Sequence, residues 1–238
     1  MSRARLVRPF TDFSVLTFDC YGTLIDWETG LRDALEPILA AHGVGLPSER
    51  ALEMFGELET AAEAGAYRRY RTVLGEVLEG FGRRLGFSPT PGEVERFAGS
   101  VPSWPPFGDS QNALLAFKQR YRLAIISNID DDLIARSAET LGVAFDWTVT
   151  AEQARSYKPS PNNFRVALDR ISATPTEILH VAQSLFHDIA PAKSLGWSTV
   201  WVNRRQGRVG PGATPPAAVQ PDLEVPDLAS LARAMNLP

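Results

Sequence analysis

Four short runs of apolar and β-branched residues constrain the fold of this 238-residue chain more than any other feature. They cover residues 15–18, 123–126, 178–182 and 199–202, and a helical pattern follows most of them. Uninterrupted apolar runs of this length are typical of strands buried on both faces, and such strands alternate with helices in parallel sheets. The sequence therefore predicts an α/β fold with a Rossmann-like parallel sheet as its core.

The stretch between residues 27 and 104 has a different pattern. Apolar residues recur there at helical spacing, first at Leu31, Leu35 and Ile38 and then at Val73 and Val77. Breaks that contain glycine and proline separate the predicted helices. We therefore expect two domains: an α/β core formed by residues 10–26 and 105–238, and an all-helical cap, residues 27–104, inserted after the first strand.

The composition argues against several classes of protein. The chain has 44% hydrophobic and 22% charged residues, as ordinary globular proteins do, and its formal net charge of −4 offers no basic surface for nucleic acid. No apolar run approaches the ~18 residues of a membrane span, and no apolar signal segment follows the basic N-terminus. The single cysteine, Cys20, cannot form an internal disulfide, which fits a reducing compartment. We expect a cytoplasmic protein that binds neither membranes nor nucleic acid.

The first apolar run leads directly into Asp19, and Gly22 follows three residues later. In open parallel sheets, ligands bind outside the carboxyl ends of the strands, so Asp19 is expected to project into that crevice. Gly22 permits the tight turn that exposes it. On its own this motif leaves open a second interpretation, in which Asp19 only caps a turn.

Three further motifs favour a catalytic role for Asp19. Ser127 and Asn128 follow the second run, Lys158 precedes a predicted helix, and Asp188 follows the third run. This order resembles the four motifs of the haloacid dehalogenase (HAD) superfamily, and the resemblance spans nearly the whole chain. A carboxylate beside a buried ammonium group stays ionised and can attack a substrate to form an ester. We expect Asp19 to be the nucleophile, Lys158 to hold it charged, and Asp188 to orient the lysine and help to activate water.

Other residues near these motifs are candidates for substrate binding. The hydroxyl and amide groups of Thr23, Ser127 and Asn128 are suited to hydrogen-bond a carboxylate. Trp27 is expected to line the pocket beneath the cap. For His187 two roles remain open: a proton donor to an amine leaving group, or a packing residue next to Asp188.

Two substitutions bear on the reaction. Most HAD enzymes are Mg²⁺-dependent phosphatases, which carry a second Asp two residues after the nucleophile and another acidic residue in the fourth motif. Tyr21 and Gln183 occupy these positions here, and both also count among the predicted substrate-binding residues. A phenol and an amide replace carboxylate ligands of Mg²⁺ poorly. We therefore predict attack on carbon without a metal or other cofactor. A Mg²⁺-dependent phosphatase and a catalytically weak binding scaffold remain the alternatives.

The motif Asp-x-Tyr-Gly-Thr resembles that of the type II 2-haloacid dehalogenases, which displace halide from C2 of a small carboxylic acid. The chain departs from that group at Phe164 and Leu185, and residues 51–54 lack the expected arginine. It is more similar to azetidine-2-carboxylate hydrolases, which open a four-membered ring at C2. The similar stretches are residues 17–30, 127–130, 156–164, 184–188 and 210–214.

Both resemblances imply an aspartyl-ester intermediate on Asp19 and a small carboxylic acid as substrate. The leaving group, halide or ring nitrogen, remains open, and the altered segment of residues 183–187 favours nitrogen. The dehalogenase resemblance also implies a homodimer.

Overall fold

The computed structural model describes residues 8–207 and 213–238. Its strands are β1 (Val15–Phe18), β2 (Arg122–Ser127), β3 (Trp147–Thr150), β4 (Ile178–Ala182), β5 (Ser198–Val202) and β6 (Leu223–Val225). They form one parallel sheet in the order β3-β2-β1-β4-β5-β6. The predicted α/β fold is therefore confirmed.

Ten α-helices accompany the sheet in the described part of the chain. They are α1 (Trp27–Ala41), α2 (Ser48–Glu63), α3 (Tyr70–Leu85), α4 (Pro91–Ala98), α5 (Ser110–Lys118), α6 (Asp131–Leu141), α7 (Ala151–Ala154), α8 (Asn162–Ile171), α9 (Ala190–Ser194) and α10 (Leu228–Ala234). A π-helical turn, Leu185–Ile189, connects β4 to α9. None of the helices in the two described ranges has both the length and the apolar character needed to span a membrane.

The four predicted runs all lie in strands of the sheet, but β3 and β6 were not predicted. These two strands form the edges of the sheet, and they have four and three residues, of which several are partly or fully exposed. Only strands that are buried on both faces show a continuous apolar run in sequence. The short edge strands carry no such signal, so the sequence does not distinguish them from loops.

The strand β1 lies at the centre of the sheet, between β2 and β4. Its side chains alternate between two apolar clusters: Leu16 and Phe18 belong to a larger one, and Val15 to a smaller one. The larger cluster continues into helices α1–α4, where Leu31 and Phe55 are buried. The helical segment between β1 and β2 therefore packs on the same side of the sheet.

Residues 27–98 form helices α1–α4, as predicted, and two of these helices have side-chain caps. The Asp26 carboxylate accepts a hydrogen bond from the backbone N–H of Thr29 at the start of α1. At the start of α4, Thr90 and Glu93 form a reciprocal capping box. The division of the chain into two domains at residues 27 and 104 remains a prediction.

Candidate active site

The carboxyl ends of β1, β2 and β4 open onto a cavity of about 50 Å³. Its lining includes Asp19, Ser127, Lys158 and Asp188 from the core, and residues of α2 and α3 form the opposite wall. One water needs about 10–15 Å³ on the same measure, so the cavity accommodates on the order of four water-sized groups. Its size suits a small molecule.

Asp19, Lys158 and Asp188 form a buried charged cluster at this cavity. The Lys158 Nζ donates to Oδ1 of Asp19 at 2.8 Å and to Oδ1 of Asp188 at 2.7 Å. It donates its third hydrogen to the backbone oxygen of Ile126 at 3.0 Å. All three donors of the ammonium group are thus used within the protein. The structure brings together the three residues predicted to carry the chemistry.

The pKa values of the cluster reflect burial and mutual charge. Burial alone lowers the pKa of Lys158, but Asp188 and Asp19 outweigh it and raise the pKa above its usual range. Burial also acts to raise the pKa of Asp188, but Lys158 and His180 together outweigh it and lower the pKa. The pKa of Asp19 is raised, because its burial exceeds the opposing effect of Lys158. Asp188 is therefore the more firmly ionised of the two carboxylates.

His180 supports this cluster from within the sheet, and its role was not predicted from sequence. Its Nε2 lies 3.1 Å from Oδ1 of Asp188, and its Nδ1 lies 2.9 Å from the Thr17 hydroxyl on the neighbouring strand. Thr17 and His180 are register partners of β1 and β4. The contact fixes the Asp188 oxygen that receives the Lys158 hydrogen bond.

Thr23 differs from its predicted role as a donor to the substrate. Its hydroxyl donates to Oδ2 of Asp19 at 2.8 Å and accepts from the backbone N–H of Gln183 at 2.9 Å. The side chain is fully buried and does not line the cavity. The turn that allows this geometry depends on Gly22, which has a φ of +95°. Thr23 therefore orients the carboxylate of Asp19 and is not placed to touch a substrate.

The residues at the two metal-ligand positions of the phosphatases do not fit Mg²⁺. The Tyr21 hydroxyl lies 2.8 Å from Oγ of Ser137, and burial raises the pKa of Tyr21 well above its usual range, so the phenol stays neutral. Gln183 offers only an amide oxygen, which accepts from the Thr214 hydroxyl at 3.3 Å. In residues 8–207 and 213–238, no group of three or more His, Cys, Asp or Glu side chains is arranged to hold a metal ion.

Ser127 and Asn128 both line the cavity, but only Ser127 has a donor without a partner among the described residues. The Oγ of Ser127 is buried and has no hydrogen-bond partner among the described residues. The side-chain amide of Asn128 is already hydrogen-bonded to the backbone of Lys158. Its Oδ1 accepts from the backbone N–H of Lys158 at 2.6 Å, and its Nδ2 donates to the backbone oxygen of Lys158 at 3.0 Å. Asn128 thus holds the loop that carries Lys158, and Ser127 is the better placed substrate donor.

Trp27 and His187 line the cavity, as the sequence indicated. The Trp27 ring packs edge-on against Phe55 of α2, which joins the wall of the cavity to the apolar cluster. Burial lowers the pKa of His187 to about 4, so its imidazole is neutral near pH 7. A neutral imidazole is a poor proton donor, so of the two roles left open for His187 the proton donor is disfavoured.

Five residues of the cavity wall were not predicted: Glu59, Glu63, Tyr70, Ser184 and Thr214. Glu59 belongs to the buried face of α2, together with Leu52, Phe55 and Gly56, and Glu63 lies one turn further along and is partly exposed. The sequence signal that could have identified Glu59 and Glu63 is their helical spacing on an otherwise apolar face of the helix. Thr214 falls in one of the stretches similar to the azetidine hydrolases, of which residues 210–212 lie outside the described part of the chain.

The helix α3 is held against the core next to the cavity by a carboxylate from the core. Asp130 is fully buried and accepts hydrogen bonds from the backbone N–H groups of Tyr70 at 2.9 Å and Arg71 at 3.1 Å. It also accepts from the Tyr67 hydroxyl at 3.2 Å. Asp130 therefore caps the N-terminus of a helix to which it does not belong.

Comparison with known proteins agrees with this geometry. Residues 13–196 match the model of the haloacid dehalogenase-like hydrolases. The (S)-2-haloacid dehalogenase 4A of Burkholderia cepacia is 28% identical over 193 residues, which are 79% of this chain and 82% of that protein. The (S)-2-haloacid dehalogenase 1 of Pseudomonas sp. (strain CBS-3) is 26% identical over 195 residues, which are 79% and 83% of the two chains.

A solved structure shares the fold. The L-2-haloacid dehalogenase from Xanthobacter autotrophicus with chloropropionic acid covalently bound superimposes with a TM-score of 0.79 at 22% identity, covering 94% of this chain and 98% of that chain. The fold and the buried cluster thus define a hydrolase whose site lies at the carboxyl ends of a parallel sheet. The chain belongs to the haloacid dehalogenase-like hydrolases, and its similarity to the 2-haloacid dehalogenases extends over most of its length.

Proposed function

We propose that this protein hydrolyses a small carboxylic acid with a leaving group on C2, through an ester formed on Asp19. The observation that carries the proposal is the way the Asp19 carboxylate is held at the end of β1. Lys158 fixes Oδ1 and Thr23 fixes Oδ2, while the carboxylate itself lines the cavity. A carboxylate whose orientation is fixed before the substrate binds loses little entropy in reaching the reacting carbon.

The proposed reaction has two steps. An oxygen of Asp19 forms a bond to C2 while the bond from C2 to the leaving group breaks, and the electron pair departs with the leaving group. Water then attacks the ester carbon of Asp19 and regenerates the carboxylate. Asp188 supports both steps by holding Lys158 in place, and its second oxygen is available to take a proton from water. Direct displacement inverts the configuration at C2.

The proposed substrate is inferred from the cavity and from the related proteins. The unpaired Ser127 hydroxyl is a donor for the substrate carboxylate, and the cavity of about 50 Å³ suits a molecule of a few heavy atoms. Two relatives are named for (S)-2-haloacids, and the solved relative holds chloropropionic acid covalently. Displacement at C2 of a small acid is consistent with each of these observations.

Between halide and nitrogen as the leaving group, we favour nitrogen in a strained ring, as in azetidine-2-carboxylate. The segment of residues 183–187 differs from the dehalogenase pattern, and no arginine lines the cavity in the described part of the chain. Arg50, next to the expected position, instead pairs with Glu53 on the outer surface of α2. The arginine that the dehalogenase resemblance implies for an anionic haloacid is thus absent from the described lining of the cavity. The phosphatase alternative is disfavoured because Tyr21 and Gln183 do not fit Mg²⁺.

The test is a panel of four compounds: L-2-chloropropionate, fluoroacetate, L-azetidine-2-carboxylate and p-nitrophenyl phosphate. Any substrate found is then hydrolysed in H₂¹⁸O with enzyme in excess. Attack by Asp19 predicts an unlabelled product hydroxyl in the first turnover and ¹⁸O in the Asp19 peptide, because water attacks the ester carbon. Label in the first product would show that water attacks C2 directly. Turnover of the phosphate ester alone, or of none of the four, would overturn the proposed substrate class.

A further inference from the structure

Two glutamates face the catalytic cluster across the cavity. Glu59 and Glu63 lie one turn apart on α2, so their side chains project from the same face of the helix. Both line the cavity that also contains Asp19 and Lys158. Glu59 is only 8% exposed. An acidic pair at this position is not used by the reaction steps described above.

The acidic pair has hydrogen-bond donors near it, but no cation of the described residues lies within the usual distance of a salt bridge. The Tyr70 hydroxyl donates to Oε1 of Glu59 at 2.5 Å, and Nδ2 of Asn128 lies 3.4 Å from Oε2 of Glu63. Among the described residues, neither carboxylate forms an ion pair with Lys, Arg or His. Glu59 is buried and Glu63 is partly buried. Carboxylates removed from water without a cation are costly, and they are commonly found at functional sites.

The pair retains a proton near neutral pH. Burial raises the pKa of Glu59 to about 7. Burial also raises the pKa of Glu63 well above its usual range, and the nearby Glu59 adds to the effect. Two adjacent buried carboxyl groups share protons in this way because the second negative charge is unfavourable. Near pH 7 the pair can therefore offer both a negative charge and a dissociable proton.

Other groups of the cavity are poor sources of a proton. Lys158 already donates its three hydrogens to Asp19, Asp188 and the backbone oxygen of Ile126. His187 is neutral near pH 7 because burial lowers its pKa to about 4. Among these groups, the acidic pair is thus the one that carries a dissociable proton near pH 7.

A second, independent feature of the cavity indicates the shape of its ligand. The buried Oγ of Ser127 has no partner among the described residues, and it lies on the core side, at the end of β2. The cavity therefore has a free donor on one wall and two acidic acceptors on the other. A small zwitterion, with a carboxylate at one end and a protonated nitrogen at the other, matches both walls.

We propose that Glu59 and Glu63 bind the positively charged nitrogen on C2 of the substrate and return a proton to it when it leaves. This inference rests on the proposed function, and it narrows the substrates to small 2-carboxylates whose leaving group is a protonated amine held in a strained ring. The C2–O bond to Asp19 forms, the C2–N bond breaks, and the electron pair stays on nitrogen. The ring opens, and the resulting neutral amine, which stays attached to the product through its other carbon, takes a proton from the acidic pair to become an ammonium group. Hydrolysis of the Asp19 ester then releases the 2-hydroxy acid and a proton, and this proton restores the acidic pair.

The test compares Glu59→Gln and Glu63→Gln with wild type on L-azetidine-2-carboxylate and L-2-chloropropionate. The amide replacement keeps the size of the side chain and removes the acid. We expect kcat on the azetidine to fall by about 100-fold in the Glu63 variant, as is typical when a general acid is lost. The KM of the Glu63→Gln variant for the azetidine should rise about tenfold, because the substrate nitrogen loses one charged hydrogen bond. Turnover of the haloacid, if wild type shows any, should be unchanged or faster.

The matched control is Glu57→Gln. Glu57 lies on the same helix, but its side chain is 51% exposed and pairs with Arg84 on the surface, away from the cavity. This variant should match wild type on both substrates. Circular dichroism of each variant verifies folding, and binding of the azetidine to Asp19→Asn protein with and without Glu63→Gln measures recognition apart from chemistry.

The outcomes separate the two proposals. Activity on the azetidine that depends on Glu63 and labels Asp19 with ¹⁸O supports both. Two results would overturn the role of the acidic pair and leave the proposed function standing. One is that only the haloacid leads to ¹⁸O in Asp19. The other is an azetidine activity that is unchanged in both Glu59→Gln and Glu63→Gln. If no C2-substituted acid labels Asp19, the proposed function itself is wrong.

Discussion

Replacement of Lys158 by methionine should remove the charge that holds the catalytic cluster together. Methionine is close to lysine in volume, so the change leaves the shape of the buried site nearly intact. It removes hydrogen bonds of 2.8 Å to Asp19, 2.7 Å to Asp188 and 3.0 Å to the Ile126 oxygen. Two buried carboxylates then remain without the ammonium group between them, and Asp188 keeps only its contact with His180. Loss of one partner from a buried ion pair costs about 3–5 kcal/mol of folding free energy.

The loss should depend on pH in a defined direction. Lys158 keeps the pKa of Asp188 below its usual value, so in wild type this carboxylate stabilises the fold above that usual pKa. That contribution is lost as the pH falls through the lowered pKa. In the variant both carboxylates are buried without the lysine, so their folded-state pKa values rise and they destabilise the fold at neutral pH. The difference between the two proteins should therefore shrink as the pH falls from about 7.5 to about 4.

Urea unfolding followed by tryptophan fluorescence at these two pH values measures the difference. Lys193→Met is the matched control, because Lys193 donates to Asp222 at 2.7 Å but is partly exposed. It should cost no more than about 1 kcal/mol, as is usual for exposed pairs. Turnover by Lys158→Met should also be lost at neutral pH, since the nucleophile is no longer held ionised. Equal stability of Lys158→Met and wild type at pH 7.5, or a difference that does not change with pH, would refute this reasoning.

Three further predictions follow from the site. Asp19→Asn should abolish turnover while near-UV circular dichroism stays unchanged; near-normal activity in folded, undeamidated protein would contradict the nucleophile. Exhaustive chelation should leave activity intact, because the neutral Tyr21 phenol replaces a metal ligand; activity lost and then restored by Mg²⁺ would contradict this. Asp130→Ala should cost about 0.5–2 kcal/mol in urea unfolding, because the N–H groups of Tyr70 and Arg71 lose their cap; Asp132→Ala, which removes only an exposed pair with Arg71, should cost less.

The central part of the fold could be predicted from sequence because burial on both faces leaves a clear pattern. The strands β1, β2, β4 and β5 are visible as apolar runs, and candidate site residues follow three of them in order. Parallel strands bring their carboxyl ends together, so the proximity of Asp19 and Asp188 could be inferred from the order of the runs alone. Lys158 required the family resemblance, since it follows no predicted strand.

Contacts between distant segments could not be predicted in the same way. The spacing of Glu59 and Glu63 shows that they share a face of α2, but it does not show which part of the core that face meets. His180 has the sequence context of a strand residue, and its contact with Asp188 depends on the π-helical turn that begins at Leu185. Thr23 was assigned to the substrate because its hydroxyl is near the nucleophile in sequence, whereas its rotamer directs the hydroxyl to Asp19.

The Lys158 ammonium donates all three of its hydrogens to protein groups, and this affects how charged substrates approach the cavity. One ammonium group is shared between two carboxylates, so the ionised cluster carries a net negative charge, and the glutamates across the cavity add to it. The negative potential of the cavity therefore repels an anionic acid as it approaches, whereas a zwitterion has no net charge and is not repelled. Added salt screens such a field beyond about 10 Å at 0.1 M. The association rate of a haloacid should thus rise with ionic strength, while that of a small imino acid should stay nearly constant.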